Sequence, residues 1–418
     1  MDRRRVAVIG GGVAGLTAAY VLSRQCDVVL YEADGRLGGH AHTHELPARG
    51  GGTIHVDSGF IVHNERTYPT LLRLLRELGV TTQDSEMSMS VHCEGCGLEY
   101  AGARGPAGLF TGRAALRGRY LRLLAEVPVF HRGARRLLAG GGPDHHTLGR
   151  FLADGGYSDY FVAHFVLPLV SAVWSCPAET ALEYPAAYLF RFLDHHGLLS
   201  VTGSPQWKTV TGGSAAYVAE IEKEIGTTRT GSAVTQVRRV PAGALVVTDG
   251  GTDAHDAVVV ATHPDQALRL LADPTEDERR ILGAFRYSRN PTVLHTDTSV
   301  LPRSAAARAS WNCRLSDCRP SADGIRISYD MNRLQRLPDG PRYVVSLNAG
   351  EDIAPDRVVA RMVYDHPVYT PQSVAAQRQL PRLNTAVTAY AGAWHGWGFH
   401  EDGCLSGVRA AAALGVTW

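Results

Sequence analysis

The sequence predicts an α/β fold in which a Rossmann-like nucleotide-binding domain is interleaved with a mixed α+β substrate-binding domain. Three observations support this prediction. A short apolar strand at 5–9 leads into a glycine-rich turn and then into a helix-like segment. A second apolar strand at 27–31 ends at Glu32, about 20 residues further along the chain. A second glycine-rich turn, at 391–403, stands between a strand-like segment and a helix-like one. We therefore expect the two ends of the chain to form one nucleotide site.

The first glycine-rich turn has the spacing that binds the pyrophosphate of a dinucleotide. The first glycine permits the tight turn, the second lets the backbone approach the phosphates, and the third lets helix and strand pack closely. The phosphates then meet the free N–H groups of the helix N-terminus. The predicted contacts are Gly10, Gly12, Val13, Ala14 and Gly15. Glu32 is placed to accept hydrogen bonds from the ribose hydroxyls.

The composition excludes several classes of protein. The 418 residues are 44% apolar and 20% charged, which is typical of a globular chain with several cores rather than a disordered or fibrous one. The 42 lysines and arginines nearly cancel the 41 acidic residues, so bulk charge does not favour a nucleic-acid partner. The longest apolar stretch, 160–174, is shorter than the ~20 residues that span a bilayer. We expect no integral membrane segment, and peripheral contact with a membrane stays open.

The cysteines indicate the compartment. There are seven, an odd number at irregular intervals, as expected of a chain that works in a reducing environment. We therefore predict a cytoplasmic protein. Its predicted partner is a small-molecule substrate. The sequence leaves its oligomeric state open.

The residues after Glu32 extend the nucleotide fingerprint. Segment 32–39 reads Glu-Ala-Asp-Gly-Arg-Leu-Gly-Gly, and it resembles the extended fingerprint of the FAD enzymes related to flavoprotein amine oxidases, protoporphyrinogen oxidase and phytoene desaturase. The resemblance implies FAD as the cofactor and an FAD-binding domain of the amine oxidase type. It also implies contacts along the FAD pyrophosphate from Ala33, Arg36, Gly38, Gly39 and His40. His40 stands where many relatives have an arginine.

The C-terminal turn extends the same resemblance. It implies that Gly392 and Gly403 lie beside the ribityl chain and the isoalloxazine ring. A helix that begins at such a turn presents N–H groups that can stabilise negative charge on a reduced flavin. Many relatives carry an acid directly after the first of these glycines, whereas this chain has Ala393. Glu401 and Asp402 are candidate substitutes for that acid.

Further sequence segments narrow the resemblance to one group of these proteins. Segments 56–65, 310–312, 329–335, 366–368 and 398–403 resemble a bacterial group of NAD/FAD-binding, amine-oxidase-like proteins, often encoded beside cyclopropane-fatty-acid-synthase-like genes. The match extends over nearly the whole chain. The remaining predicted cofactor contacts are Asp57, Ser58, Gly59, Phe60, Val234 and Ala261. We expect Asp57 to order the loop beneath the flavin rather than to transfer protons.

The domains are expected to interleave along the chain. Segments 1–75, 205–285 and 383–418 are predicted to form the FAD-binding domain, and 76–204 and 286–382 the substrate domain. The local patterns predict a helix from Pro69 to a stop at Gly79, a hairpin turning at 93–97, mostly helices over 114–199, strands over 292–348, a strand at 384–390 and a helix from Cys404.

The predicted function is that of an FAD-dependent oxidoreductase, either an oxidase or a dehydrogenase or desaturase. FAD takes a hydride at its N5 atom, so the protein mainly supplies orientation and excludes water. The chain shows no second nucleotide fingerprint, so the electrons are expected to come from an organic substrate that is apolar or carries an amine. Many amine oxidases place a lysine from the later part of the chain beside the flavin, and here no lysine follows Lys223.

The C-terminal turn also holds the candidate catalytic residues. Trp394, Trp397 and Phe399 can form an aromatic wall for the substrate, or they can simply pack around the isoalloxazine. His400 and His395 can act as acid or base, or can serve only as hydrogen-bond partners within the turn. The sequence leaves both pairs of alternatives open.

Two other functions remain as alternatives. One is a redox-neutral, flavin-dependent isomerase of an unsaturated lipid, and the other is a non-catalytic, flavin-binding partner of a lipid-modifying enzyme. We predict no metal site. A four-thiolate zinc site from Cys93, Cys96, Cys313 and Cys318 is disfavoured because the spacing of the second pair fits a zinc knuckle poorly.

Overall fold

A computed structural model describes residues 3–48, 50–141, 146–200, 203–319 and 325–418. The strands in these ranges are β1 (Arg5–Ile9), β2 (Asp27–Tyr31), β3 (Thr43–Pro47), β4 (Thr53–Asp57), β5 (His63–Asn64), β6 (Thr82–Ser85), β7 (Met89–Cys93), β8 (Leu98–Ala101), β9 (Trp207–Val210), β10 (Thr227–Arg229), β11 (Val234–Val240), β12 (Gly243–Thr248), β13 (Gly251–His255), β14 (Ala257–Val260), β15 (Arg286–His295), β16 (Trp311–Leu315), β17 (Arg326–Asp330), β18 (Val344–Leu347), β19 (Val358–Val368) and β20 (Thr388–Tyr390).

The α-helices in the same ranges are α1 (Val13–Leu22), α2 (Pro69–Glu77), α3 (Gly105–Leu109), α4 (Gly118–Ala139), α5 (Leu148–Asp154), α6 (Asp159–Phe161), α7 (Leu167–Trp174), α8 (Ala178–Glu183), α9 (Ala186–His195), α10 (Ala215–Glu224), α11 (Pro264–Leu270), α12 (Glu276–Leu282), α13 (Met331–Leu334), α14 (Pro371–Gln377) and α15 (His400–Ala413). None of these helices combines the length and the apolar character that a bilayer crossing requires.

The central sheet is parallel, with the strand order β10-β2-β1-β14-β20. Val6 and Val8 of β1 face a core formed with α1, α2, α10 and α15, whereas Ala7 and Ile9 face β11–β13, α11 and α12. Because both faces are covered, β1 and β14 consist almost entirely of buried apolar residues. Ile9 pairs with the last residue of β2 and of β14, so the carboxyl ends of these three strands are level.

The second large sheet has seven strands in the order β19-β15-β18-β17-β16-β7-β8. Its β7–β8 hairpin joins the later strands through a parallel pairing of β7 with β16. A layer of helices, α4 to α9, packs around an aromatic core beside this sheet. All five strands of the parallel sheet come from the segments proposed for FAD binding, and the seven-stranded sheet comes from those proposed for the substrate domain.

The C-terminal elements differ from the predicted boundaries. The strand is only Thr388–Tyr390, and the helix begins at His400 rather than at Cys404. The helix starts early because Phe399 is extended at the N-cap and its N–H donates to the Asp402 carboxylate at 3.0 Å. The predicted strand 384–390 is shortened by an irregular turn in which Thr385 and Thr388 bond to each other.

Candidate active site

A glycine loop lies at the level carboxyl ends of β1, β2 and β14. Gly10 has φ +104°, and a Cβ placed there would lie 2.8 Å from the carbonyl oxygen of Ala261. A Cβ on Gly15 would lie 1.9 Å from the carbonyl oxygen of Gly10. Both positions therefore require glycine, because the loop, α1 and β14 approach too closely for any side chain.

Gly12 lies in a different environment. A Cβ placed on it would meet no atom within 4 Å, so the loop borders open space at this point. Gly12 is the N-cap of α1 and provides no side-chain cap. The N–H groups of Val13 and Ala14 belong to the first turn, which has no intrahelical acceptors, and the helix dipole is positive here. This geometry is that of an anion-binding site.

Glu32 borders the loop on the side of β2. Its carboxylate accepts hydrogen bonds from the N–H of Gly11 at 2.6 Å and of Asp34 at 2.8 Å, which fixes its orientation. The N–H of Ser232 donates to the Glu32 carbonyl at 2.8 Å, which brings the chain before Val234 alongside. Ala33 is exposed beside this carboxylate.

The segment 36–40 folds against the glycine loop. Gly38 donates to the Gly11 carbonyl at 2.8 Å, and a Cβ on Gly39 would lie 3.2 Å from the Cα of Gly12. The Arg36 guanidinium donates to the carbonyl of Gly39 at 2.8 Å and so stabilises its own loop. The Nε2 atom of His40 is buried and has no partner in the described part of the chain, and burial lowers the pKa of this imidazole well below its usual value. His40 thus offers a neutral imidazole next to the loop.

Asp57 is the centre of a buried hydrogen-bond network. Its carboxylate accepts from the Thr43 hydroxyl at 2.6 Å, the Ser214 hydroxyl at 2.7 Å and the Gln335 amide at 3.0 Å. Burial raises its pKa to about 6. These contacts join β3, the start of α10 and the loop after α13, so the carboxylate has an organising part in the structure. Its predicted contribution to cofactor binding stays a prediction.

The residues after Asp57 continue this tight packing. A Cβ on Gly59 would lie 2.2 Å from the carbonyl oxygen of His40, so this position also requires glycine. The Ser58 hydroxyl bonds to Tyr364 at 2.8 Å and to His44 at 2.9 Å. The loop 57–60 is therefore held against the segment that follows Arg36.

His400 is engaged by neighbours on two sides. Its ring stacks on Phe60 at 3.5 Å between centroids, and its Nε2 atom bonds to the Tyr217 hydroxyl at 2.9 Å. Burial, with His63 nearby, lowers its pKa to about 3. His400 is therefore neutral near pH 7, which favours the structural alternative over general acid catalysis.

The two candidate acids of the C-terminal turn are both bound to backbone N–H groups. The Glu401 carboxylate accepts from Thr70 and Leu71, each at 3.0 Å, and so caps the N-terminus of α2. The Asp402 carboxylate caps its own helix through the N–H of Phe399, and burial raises its pKa to about 7.

Small residues let α15 approach α1. A Cβ on Gly403 would lie 2.6 Å from a methyl carbon of Val13, and one on Gly407 would lie 2.4 Å from the Ala14 carbonyl oxygen. The N-termini of α1 and α15 therefore meet at the same side of the parallel sheet.

The three aromatic candidates separate into two groups. Trp394 is fully buried in the core on the other face of the parallel sheet, where it packs on Phe285 and donates to the Thr262 carbonyl at 3.2 Å. A Cβ on Gly392 would lie 1.9 Å from the Trp394 indole nitrogen, so Gly392 makes room for that ring. Trp394 therefore packs in the protein core, and its predicted place in a substrate wall or around the isoalloxazine stays a prediction.

Trp397 and Phe399 belong instead to a cluster that we call the aromatic layer, formed by Trp174, Tyr188, Phe192, Trp397 and Phe399. Phe399 stacks on Phe192 at 4.8 Å, and Trp397 lies 5.9 Å from Phe192. Trp174 donates to the Trp397 carbonyl at 3.1 Å. The aromatic layer thus connects helices α7 and α9 to the turn before α15. The indole Nε1 of Trp397 is buried and has no hydrogen-bond partner among the residues that the structure describes.

Several residues near the loop were not singled out from the sequence. His63 is fully buried, and neither ring nitrogen has a partner within the ranges that the structure describes. Its pKa is lowered to about 4 by burial and by Lys208. Tyr217, Gln335 and Tyr364 come to the site only when the chain folds, and they bond there to His400, Asp57 and Ser58, respectively. His63 and Gln335 lie in blocks that carried the resemblance, whereas Tyr217 and Tyr364 had no local signal.

A comparison with protein families identifies the family of this chain. The model of flavin containing amine oxidoreductases matches residues 13–298, about two thirds of the chain. The chain belongs to this family. The match confirms the predicted resemblance, and the family's cofactor is FAD.

Individual relatives of the chain fall in the same family. A Mycobacterium tuberculosis protein with the provisional name flavin-containing monoamine oxidase AofH is 28% identical over 284 residues, which is 64% of this chain and 59% of that protein. The chain therefore matches less than two thirds of that relative's length. Arabidopsis thaliana protoporphyrinogen oxidase 2 is 62% identical over 37 residues, 9% of this chain and 7% of the enzyme.

Solved structures with the same fold are distant in sequence. Cyclohexylamine oxidase from Brevibacterium oxydans matches with a TM-score of 0.70 and 16% identity over 99% of both chains. A conjugated-linoleic-acid-producing fatty acid isomerase from P. acnes matches with a TM-score of 0.69 and 16% identity over 97% of both. At this identity the likeness confirms the predicted amine-oxidase type of fold.

The residues of the glycine loop fit FAD. The open space before Gly12 and the uncapped start of α1 suit a pyrophosphate. Glu32 has carboxylate lone pairs left for ribose hydroxyls, and the orphaned Nε2 of His40 suits a polar group of the cofactor. The N–H groups of Val13 and Ala14 would hold the phosphates.

Proposed function

We propose that this family member is an FAD-dependent oxidoreductase whose substrate is apolar where it reacts and carries a hydrogen-bond acceptor rather than an ammonium group. The observation that supports this proposal is the aromatic layer, whose free polar atom is the indole N–H of Trp397. An indole only donates hydrogen bonds, and an ammonium group also only donates. A carbonyl or carboxylate oxygen of a substrate suits this donor, whereas a protonated amine does not.

The charges near the aromatic layer support the same conclusion. The acids beside this layer favour an ammonium group poorly, because Glu401 accepts from the backbone N–H groups of α2 and burial raises the pKa of Asp402 to about 7. The two lysines of the chain each form an ion pair with a carboxylate. Lys208 pairs with Asp84 at 3.1 Å, and Lys223 pairs with Glu220 at 2.7 Å, both in solvent-facing positions.

The chain's own residues orient the substrate and exclude water. When bound, FAD supplies the hydride acceptor for the reaction. The N-terminus of α15, with its first N–H groups and the positive end of its dipole, would be suited to stabilise negative charge that develops on the cofactor. Tyr217 holds His400, and His400 stacks on Phe60. These side chains would thereby shape one wall of the substrate site. The substrate loses a hydride and a proton, and the electrons pass on to dioxygen or another acceptor.

Anaerobic absorbance spectra of the FAD-loaded protein test this proposal. Candidate amines and unsaturated or cyclopropane fatty acids are added in turn, and air is admitted afterwards. We expect bleaching by an acid or another apolar, oxygen-bearing compound, with recovery in air or with an added acceptor. Bleaching by amines alone would overturn the substrate class. Product formation without net bleaching or acceptor use would assign the redox-neutral isomerase instead.

A pair of conservative variants tests the part of Trp397. Trp397→Phe keeps a ring and removes the N–H donor, whereas Trp418→Phe makes the same change near the C-terminus, where the indole bonds to Glu77. We expect Trp397→Phe to raise KM about fivefold, since one hydrogen bond is worth about 1 kcal/mol. The Trp418 variant should leave KM unchanged. Equal effects of the two would contradict the proposed contact.

A further inference from the structure

We propose that Cys93, Cys96, His164 and Cys318 bind one structural zinc ion. The four side chains come from three separate parts of the substrate domain, and their ligand atoms all lie within 4.8 Å of one another. This proposal does not depend on flavin chemistry, because the cluster lies away from the glycine loop.

The distances match a tetrahedral zinc site. The Sγ atoms of Cys93 and Cys318 are 3.9 Å apart, and Cys96 Sγ lies 3.7 Å from the Nε2 atom of His164. Zinc–sulfur bonds of about 2.3 Å in a tetrahedron place neighbouring ligand atoms ~3.8 Å apart. The sulfur atoms are much further apart than the ~2.0 Å of a disulfide bond, and the three cysteines of the cluster are free thiols.

The first two thiols sit on a tight turn. Cys93 ends β7 and Cys96 precedes β8, and Gly97, with φ +71°, donates to the Cys93 carbonyl at 2.9 Å. Such a turn directs two thiols to the same side, as in a zinc knuckle. A Cβ on Gly95 would lie 2.8 Å from the Cα of Asp317, so the turn lies directly against the loop that carries Cys318.

The sheet brings Cys318 to this turn. β16 runs parallel to β7, with Leu315 opposite Cys93. The N–H of Glu94 donates to the Leu315 carbonyl at 2.9 Å, which fixes the register at the strand ends. The third thiol follows three residues later.

His164 is prepared to act as a ligand through Nε2. It lies in a π-helical turn, Val162–Val166, and is fully buried. Its Nδ1 lies 3.0 Å from the Tyr160 carbonyl, an atom that can only accept a hydrogen bond, so the proton of the neutral ring is on Nδ1. The lone pair of Nε2 then faces the thiols, which is the arrangement found behind zinc-bound histidines.

The surroundings compensate the charge of three thiolates around a divalent ion. The Tyr160 hydroxyl lies 3.5 Å from Cys96 Sγ, where it can donate a hydrogen bond to the sulfur. Its ring stacks on His164, and the guanidinium of Arg119 lies 4.8 Å from the centre of the Tyr160 ring. The side chains around the cluster thus bond to the ligands or stack on them, as do the groups that orient zinc ligands.

The ligand set differs from the four-thiolate arrangement considered in the sequence. Cys313 is on β16 and fully buried in the aromatic core, where its Sγ faces the Pro168 carbonyl at 3.7 Å. His164 takes the fourth place instead. No spacing could have indicated this, because His164 is 68 residues from Cys96. With four protein ligands the ion would tie the β7–β8 hairpin to the helical layer and support folding.

Metal analysis of the FAD-loaded full chain tests the site. The protein is produced with zinc in the medium, purified without metal-affinity steps and dialysed against a weak chelator, and its zinc is then measured by mass spectrometry. We expect about one zinc per chain in the wild type and in the control Cys313→Ser, and a loss of at least about tenfold in Cys96→Ser and His164→Asn. Loss in the Cys313 variant with retention in the His164 variant would overturn the ligand set.

Measurements on the wild-type protein test the zinc site even if the variants do not fold. Zinc-edge X-ray absorption should show three sulfur ligands at about 2.3 Å and one nitrogen ligand, and a shell of oxygen atoms or of four sulfurs would contradict the assignment. Folded, FAD-loaded protein that fails to compete for zinc against a chromophoric chelator would overturn the site. A disulfide between Cys93 and Cys318 in the freshly isolated protein would also overturn it.

Discussion

At the scale of single residues, the glycines of the nucleotide loop have separable tasks. Gly10 and Gly15 are required by the fold, because a side chain there would collide with backbone oxygens. Gly12 borders open space and has an ordinary backbone conformation, so an alanine there fits the protein itself. Its methyl group would instead occupy the space proposed for the FAD phosphates.

We therefore predict that Gly12→Ala weakens FAD binding at least about tenfold without changing the stability of the apoprotein. The measurement is a reconstitution titration with FAD, followed by flavin fluorescence, together with the melting temperature of the apoprotein. Gly35→Ala is the matched control, since Gly35 also has no atom within 4 Å of its Cβ position. Equal FAD affinity in the two variants would contradict the phosphate site.

Asp402 makes a second residue-scale prediction, about pH. Its folded pKa of about 7 lies above the ordinary value of 3.8, so between these values the unfolded chain ionises while the folded protein keeps the proton. This group's contribution to stability is therefore complete below about pH 4 and is lost as the pH rises through about 7. Asp402→Asn removes the titration and keeps an oxygen for the Phe399 N–H.

We expect the variant to gain stability relative to wild type as the pH rises from about 4 to about 8, by about 1–3 kcal/mol. Urea unfolding at a series of pH values measures this difference. Parallel stability curves for the two proteins would show that the carboxyl group does not titrate in this range.

At the scale of elements, one carboxylate couples two helices that are distant in sequence. Glu401, in the first turn of α15, caps α2 by accepting from the N–H groups of Thr70 and Leu71. Pro69 occupies the first position of α2, and Tyr68 provides no side-chain cap, so Glu401 accepts from first-turn N–H groups that have no acceptor within the helix.

We predict that Glu401→Gln destabilises the protein by about 1 kcal/mol, because a charged acceptor at a helix N-terminus is replaced by a neutral one. Glu276→Gln is the control, since Glu276 also lies in the first turn of a helix but is exposed. Thermal and urea unfolding compare the two variants, and an equal, small effect would assign Glu401 no special part. The loss should persist in the apoprotein, because both helices belong to the protein itself.

At the scale of the whole molecule, buried histidines dominate the response to acid. Among the histidines that the structure describes, burial lowers the pKa of nine to about 3 or 4. They are His42, His63, His131, His196, His255, His295, His366, His395 and His400. Because these folded pKa values are depressed, the stability they contribute is present above about pH 6.5 and is lost as the pH falls toward 4.

The two raised carboxyls, Asp57 and Asp402, act in the opposite direction over the same range, but they are outnumbered. We predict that the free energy of unfolding falls as the pH is lowered from about 6.5 to about 4, with net proton uptake on unfolding. Denaturant midpoints across this range, with proton uptake measured in weakly buffered solution, provide the test. A flat or rising profile would contradict the burial of these histidines.

Much of the nucleotide half was predictable because its signals are local. The glycine turn, the strand that ends at Glu32 and the helix that begins at Pro69 each lie within one short segment, and the structure contains all three. The start of α15 was misplaced because the reciprocal bond between Phe399 and Asp402 is a cap with an aromatic residue at the N-cap, which has no common sequence signature.

The sequence by itself therefore determined the family, the FAD fold and the positions of its glycines, because close backbone approach and phosphate binding depend on residues near one another in the chain. Only the tertiary structure decided the tasks of the C-terminal turn. It committed Glu401 to α2, placed Trp394 in the core and left Trp397 with a free donor. It alone brought His164 to three thiols. These assignments depend on contacts between distant segments, and such contacts form only when packing brings those segments together.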